Sequence, residues 1–220
     1  MEDFEAFGAL RDPLRRRLYE YVAAQDHPVS RNEAAEAAGV ARTLAAFHLD
    51  RLAEAGLLET ESRRLTGRSG PGAGRPAKLY RRSPEDRALS LPPRDYRTAA
   101  EVLAETAEAA GLDEELRRAA RRRGRALRGA EPVGGLEAVR AVLARRGYEP
   151  RQEEGGTVRM RNCPFHALSE QFPPLVCGMN LALLEGLLEG AEGLRVRMDA
   201  RPGWCCTVVE ESGPSKNNED

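Results

Sequence analysis

Between Ser30 and Gly56 the chain carries enough helix punctuation to admit few folds. Ser30-Arg31-Asn32-Glu33 has the form of a capping box, in which the serine and glutamate side chains satisfy the first free N–H groups of a helix. An alanine-rich run follows to Ala38, and Gly39 ends it. Ala41 to Ala55 gives a second helix with Ala45, Leu49 and Leu52 inward and Val40 packing at the turn, and Gly56 closes it. Upstream, Phe7, Leu10, Leu14, Leu18, Tyr21 and Val22 recur at three- and four-residue steps, which predicts a helix over 4–24. Pro13 sits near its middle, so the helix proper is expected to begin with Asp12 as N-cap and Pro13 at the first helical position.

After Gly56, residues 57–61 read as a strand and 77–81 as its return partner. The stretch between them, 67–76, alternates glycine, proline and arginine and predicts a flexible tip, because it offers no side chains to a core. Helix, helix, turn, helix and hairpin make an amino-terminal winged helix-turn-helix. Charge agrees. From Ser62 to Pro84 no residue is acidic, whereas Arg63, Arg64, Arg68, Arg75, Lys78, Arg81 and Arg82 are basic. Such a stripe can neutralise phosphates, while a formal net charge of -1 argues against a chain that coats nucleic acid indiscriminately.

The segment Val40-Ala41-Arg42-Thr43 together with His48-Leu49-Asp50-Arg51-Leu52-Ala53-Glu54-Ala55-Gly56-Leu57-Leu58 resembles the recognition helix of ArsR-like bacterial repressors, with its glutamate-alanine-glycine-leucine-leucine exit into the wing. Gly74-Arg75-Pro76-Ala77-Lys78-Leu79-Tyr80 is similar to the returning wing strand of that group. The resemblance implies a DNA-binding, dimeric transcriptional repressor. On the helix wheel Arg42, Thr43, Ala46 and Phe47 face outward and are candidates for base edges, with Ser30, Arg31, His48 and Arg51 better placed for the sugar-phosphate backbone. Arg68, Arg75 and Lys78 on the wing would add phosphate or minor-groove contacts.

Pro84 and Pro92-Pro93 mark a boundary, and the expected organisation is α+β: a DNA-binding domain over 1–90, linking or dimerisation helices over 91–130, a small sensor over 131–211 and a polar tail over 212–220. Helices are predicted over 95–110 and 113–128, the second acidic at its start and basic at its end, as the helix dipole favours. Leu136, Val139, Leu143 and Ala144 fit a helix ending at Gly147, and 148–152 reads as a strand. Gly155-Gly156 turns into a strand over 157–161, Pro173-Pro174 opens a helix over 175–188, and a last hairpin joins 194–200 to 204–209. No apolar run approaches the roughly 20 residues of a bilayer-spanning helix, and the acidic start Met1-Glu2-Asp3 is unlike a secretory signal. A cytoplasmic protein is expected, in which thiols stay reduced.

All four cysteines lie in the last third: Cys163, Cys177, Cys205 and Cys206. Their spacing matches no zinc ribbon. Pro164 directly after Cys163 is a step common beside iron–sulfur clusters, and Cys177 sits in the first turns of a helix, where the dipole favours an anionic ligand. If Cys205 and Cys206 occupy a regular strand they point to opposite faces, so three cysteine ligands are expected, with the fourth place taken by His166, by the second member of the pair through a bulge, or by a small molecule. No serine, histidine and acid arrangement, paired-carboxylate motif or phosphate-cradling loop points to an enzyme.

Asn162-Cys163-Pro164-Phe165-His166, a cysteine further on in a leucine-rich helix and a terminal cysteine pair are similar to the iron–sulfur regulators that repress the Suf cluster-assembly operon. That resemblance implies operator DNA affinity controlled by an iron–sulfur cluster on Cys163, Cys177, Cys205 and Cys206, with His166 a further candidate ligand. A further cysteine that those regulators carry between the second and the last is missing here. Zinc or another thiophilic metal on the same residues, and metal-free thiol redox sensing, are the competing readings.

Overall fold

Asp12 does cap a helix: its side chain accepts from the Arg15 N–H at 2.9 Å, and Pro13 takes the first helical position. The computed structural model describes residues 2–63, 76–129 and 133–212 and divides the chain into two units, Met1–Arg94 and Asp95–Asp220. Most of the basic tip, with Arg64, Arg68 and Arg75, and the tail from 213 lie outside the described residues.

In the first unit, α1 (Glu2–Ala9), α2 (Pro13–Ala24), β1 (Val29–Ser30), α3 (Arg31–Ala38) and α4 (Arg42–Glu54) precede the hairpin of β2 (Leu58–Arg63) and β3 (Ala77–Arg82). The long amino-terminal helix expected from periodicity is thus two helices, broken just before the Asp12 cap. The capping box of Ser30 and Glu33 is formed, and Gly39 holds the left-handed conformation (φ 65°) that terminates α3. Leu18, Leu49 and Leu52 are wholly buried beside Val22, Val29, Ala34 and Ala45, each leucine worth about 1.5–3 kcal/mol of apolar burial. The sheet order is β1-β3-β2, antiparallel throughout, with Val29 opposite Tyr80 and Thr60 opposite Tyr80 on the other side. β1 is too short to leave a period-two signal in the sequence.

The second unit contains α5 (Tyr96–Ala109), α6 (Asp113–Arg128), α7 (Gly135–Ala144), β4 (Pro150–Glu153), β5 (Thr157–Met160), α8 (His166–Gln171), α9 (Pro173–Leu187), β6 (Leu194–Met198) and β7 (Thr207–Glu211). Its four strands form an antiparallel sheet in the order β4-β5-β7-β6. α9 is the central element, burying Leu175, Val176, Leu184 and Leu187 while its other side meets α6. That crossing is close because it is made through glycines. A Cβ on Gly124 would sit 2.2 Å from Leu183 O, and one on Gly186 would sit 2.1 Å from Arg121 O. α5 buries no residue and exposes Tyr96, Val102 and Leu103.

Two expectations are corrected here. Residues 205–206 are not in the last strand, which starts at Thr207, and Tyr148 is not in a strand but is a buried core residue ahead of β4.

Candidate DNA-binding face and thiol cluster

The amino-terminal face is organised by Asp50, which sequence reading passed over. Its carboxylate accepts from Arg31 Nη2 at 2.8 Å, Lys78 Nζ at 2.7 Å and Tyr80 Oη at 2.7 Å, and Arg31 Nε donates to Tyr80 Oη at 2.8 Å. One residue on α4 therefore ties the start of α3 to the returning wing strand. Burial opposes ionisation of Asp50, but the hydrogen bonds from Lys78 and Tyr80 and the Arg31 charge outweigh it and hold the carboxyl below its ordinary range. Burial and the bond to Asp50 push the Tyr80 hydroxyl up to about 12. Because these side chains remain about a third exposed, each ion pair contributes at most about 1 kcal/mol. Their larger effect is to fix two cations, Arg31 and Lys78, in position on this face.

Arg42 and Thr43 are exposed at the start of α4, and Arg42 lines a groove with Ser30, Arg31, Ser62 and Lys78. Ala46 is half-buried, while Phe47 is 55% exposed under the Arg51 guanidinium, 5.8 Å from its ring centre. His48 does not face outward as a backbone contact. It is buried at 7% exposure, edge-on to Phe47, because its position on α4 falls beside Leu49 on the core side.

Residues 10–61 match the family model of a helix-turn-helix domain. This part of the chain is a helix-turn-helix domain. The match supports an ArsR-like winged-helix transcriptional regulator, and it spans α2 to β2, the elements that carry the Asp50 network and the exposed Arg42. No curated protein and no solved structure matches the chain.

In the second unit the four cysteines form a run of neighbouring pairs. The Cys205 thiol neighbours those of Cys163 and Cys206, and Cys206 in turn neighbours Cys177. Strand parity does not separate Cys205 from Cys206, since both precede β7. β5 and β7 pair with Arg159 opposite Val208, which by extension would set Thr207 against Met160. Cys205 N–H reaches that same Met160 carbonyl at 2.9 Å, so the chain ahead of Thr207 folds out of the ladder. Asp199 N–H holds the other side of the loop, donating to Cys206 O at 2.8 Å. Asp199 is itself fixed by the fully buried Arg159, whose guanidinium lies 2.7 Å from Asp199 Oδ2 and 3.0 Å from Glu153 Oε1. On the far side, Asn162 Nδ2 donates to Gly147 O at 2.6 Å and His166 N–H to Cys163 O at 3.0 Å, which sets the Cys163-Pro164 turn.

Behind the thiols runs a buried polar string with no counterpart in the sequence reading. Tyr148 Oη donates to Asn180 Oδ1 at 2.6 Å, and Asn180 Nδ2 lies 3.4 Å from both Cys205 Sγ and Thr207 Oγ1. Cys205 Sγ and Thr207 Oγ1 are 3.3 Å apart. Hydrogen bonding from the Cys163 thiol, then from Cys206, lowers the pKa of Cys205 against the opposing effect of burial. The same bond to Cys205, with burial, raises Cys163, and the bond to Cys205 followed by burial raises Cys206. Burial, with the nearby sulfurs, also raises the Tyr148 hydroxyl, which stays a donor.

His166 opens α8, is exposed, and has Nε2 3.5 Å from Glu170 Oε1. Among the described residues no group of three or more histidine, cysteine, aspartate or glutamate side chains is set out to hold a metal ion. The sulfur contacts are instead pairwise. Donor chemistry still suits a thiophilic group, because sulfurs on one tetrahedral ion at ~2.3 Å stand ~3.8 Å apart, a separation near that of thiols in contact.

Proposed function

We propose that the chain is a transcriptional repressor whose operator affinity is set by an iron–sulfur cluster on Cys163, Cys177, Cys205 and Cys206, acting as a cytoplasmic homodimer. The observation that carries this reading is the meeting of the chain's only four cysteines, from three separate segments, in a unit distinct from the helix-turn-helix. A cluster would supply an occupancy that responds to iron, sulfide and oxidants. The chain's own residues do the rest. Asn180 and Thr207 orient Cys205 Sγ, the 199–206 loop presents Cys206 to Cys177, and Arg42 with the Asp50-held Arg31 and Lys78 meets the duplex.

The test begins with anaerobic purification and analysis for iron, sulfide and zinc. A duplex selected from a random library is then titrated with protein before and after reconstitution with iron and sulfide. Occupancy is expected to change affinity by about 1–3 kcal/mol, roughly 5- to 150-fold. Equal affinity in both states, together with unchanged binding by a variant with all four cysteines replaced by serine, defeats the proposal. Metal-free thiol sensing is the second reading, favoured by the pairwise contacts of the sulfurs; a colourless, iron-free preparation whose DNA affinity still responds to oxidant selects it.

A further inference from the structure

The four thiols are not equally reachable. A largely apolar cleft in the second unit is lined by Pro173, Leu181 and Met198 together with Cys177 and Cys206. Cys205 is buried behind them, next to Cys163. Arg117, Arg121 and Glu185 also line the cleft; Arg121 is paired with Glu185, whereas Arg117 has the 60% exposed Glu114 at 3.8 Å. Arg117 also packs on α9. Its Nε is 2.9 Å from where a Cβ on Gly178 would stand, so the guanidinium packs over the turn of α9 that carries Cys177.

An apolar cleft lined by a guanidinium and a pair of neighbouring thiols fits a small anionic disulfide with an apolar body. We propose that this cleft binds such a low-molecular-weight disulfide and that Cys177 and Cys206 reduce it. The Cys177 thiolate attacks one sulfur of R–S–S–R, forming a Cys177–S–S–R bond and expelling RS⁻. Cys206 then gives its proton to solvent and attacks Cys177 Sγ, expelling the second RS⁻ and leaving a Cys177–Cys206 disulfide. Two protein thiols are oxidised and one disulfide is reduced to two thiols. The inference stands apart from whether a metal or cluster occupies the site, since it concerns the reduced, metal-free chain.

The test uses the full-length, reduced, metal-free protein with two probes, the anionic 5,5′-dithiobis(2-nitrobenzoate) and the uncharged 2,2′-dithiodipyridine. The anionic probe is expected to release about two equivalents of thionitrobenzoate in a fast phase, leaving the chain about 2 Da lighter, with peptide mapping giving Cys177–Cys206. Arg117→Gln, a surface change, is expected to slow the anionic probe roughly three- to tenfold and the uncharged probe less than about twofold, with the difference shrinking at high salt. A retained mixed disulfide, a first bond that includes Cys163 or Cys205, or equal slowing of both probes overturns the proposal.

Discussion

Gly186→Ala sets two effects of opposite sign against each other at one methyl group. Glycine inside a helix is less favourable than alanine by about 1 kcal/mol, so helix propensity alone predicts that the change stabilises α9. The structure predicts the reverse. The new Cβ would stand 2.1 Å from the Arg121 carbonyl oxygen and 2.9 Å from its carbon, both backbone atoms of α6 that cannot rotate away. Restoring an ordinary contact needs the helices to part by on the order of 1 Å, and overpacking of this kind costs about 1–3 kcal/mol or more. Separating them also strips contact from Ala120 and Gly124 on the buried face of α6. The ion pairs that cross the same seam, Arg121 with Glu185 and Arg125 with Glu189, are 34–50% exposed and too screened to offset the loss. We expect a net destabilisation of about 2 kcal/mol. The assay is convenient, because the only tryptophan, Trp204, lies in the second unit and its fluorescence reports that unit alone. With a urea dependence near 1.5 kcal/mol/M, the tryptophan-detected midpoint falls by about 1.3 M. A midpoint that rises or stays put would refute the close-packing argument.

Asp50→Asn is expected to cost the first unit about 1 kcal/mol at neutral pH, with the sign of its pH dependence fixed by the lowered carboxyl pKa. Stability from a depressed carboxyl is fully present above the ordinary aspartate value of about 3.9 and is lost as pH falls through the folded value, so the gap between wild type and variant should close as acid is added below about pH 4. Circular dichroism at a series of pH values checks it, and a gap that widens in acid contradicts it. Asn180→Leu strands the Tyr148 hydroxyl and removes the amide donor from Cys205 and Thr207; a loss of about 1–3 kcal/mol is expected, read by Trp204 fluorescence in urea. The paired change Asn180→Leu with Tyr148→Phe should recover part of it, and no recovery would show that the string is not a coupled network.

Residues whose local chemistry acts on their own neighbours were readable in advance. The Asp12 cap, the Ser30–Glu33 box and the Gly39 stop depend on hydrogen bonds three residues away, and all three form as expected. Asp50 was not legible, because its partners stand 19, 28 and 30 residues distant and nothing about a mid-helix aspartate signals a hub. His48 misled for a related reason: on a wheel it is adjacent to both the outward Phe47 and the inward Leu49, and only packing decides between them. The gathering of cysteines was expected, but its internal arrangement was not. Alternation along a strand would have split Cys205 from Cys206, and the departure of the chain from the ladder before Thr207 is set by Met160 and Asp199, residues far from it in sequence.

That local departure also explains why an asparagine is tolerated in the middle of an apolar helix. Asn180 is wholly buried on α9, where leucine would pack with less desolvation cost. Folding residues 205–206 out of the sheet brings the Cys205 sulfur and the Thr207 hydroxyl to the same spot and leaves them in need of donors and acceptors. Asn180 supplies donors to both and hands its acceptor to Tyr148, so the cost of one buried amide is met by three contacts. The result divides the sulfurs by depth. Cys205, held by this string, is the buried one of the four, while Cys177 and Cys206 line the cleft.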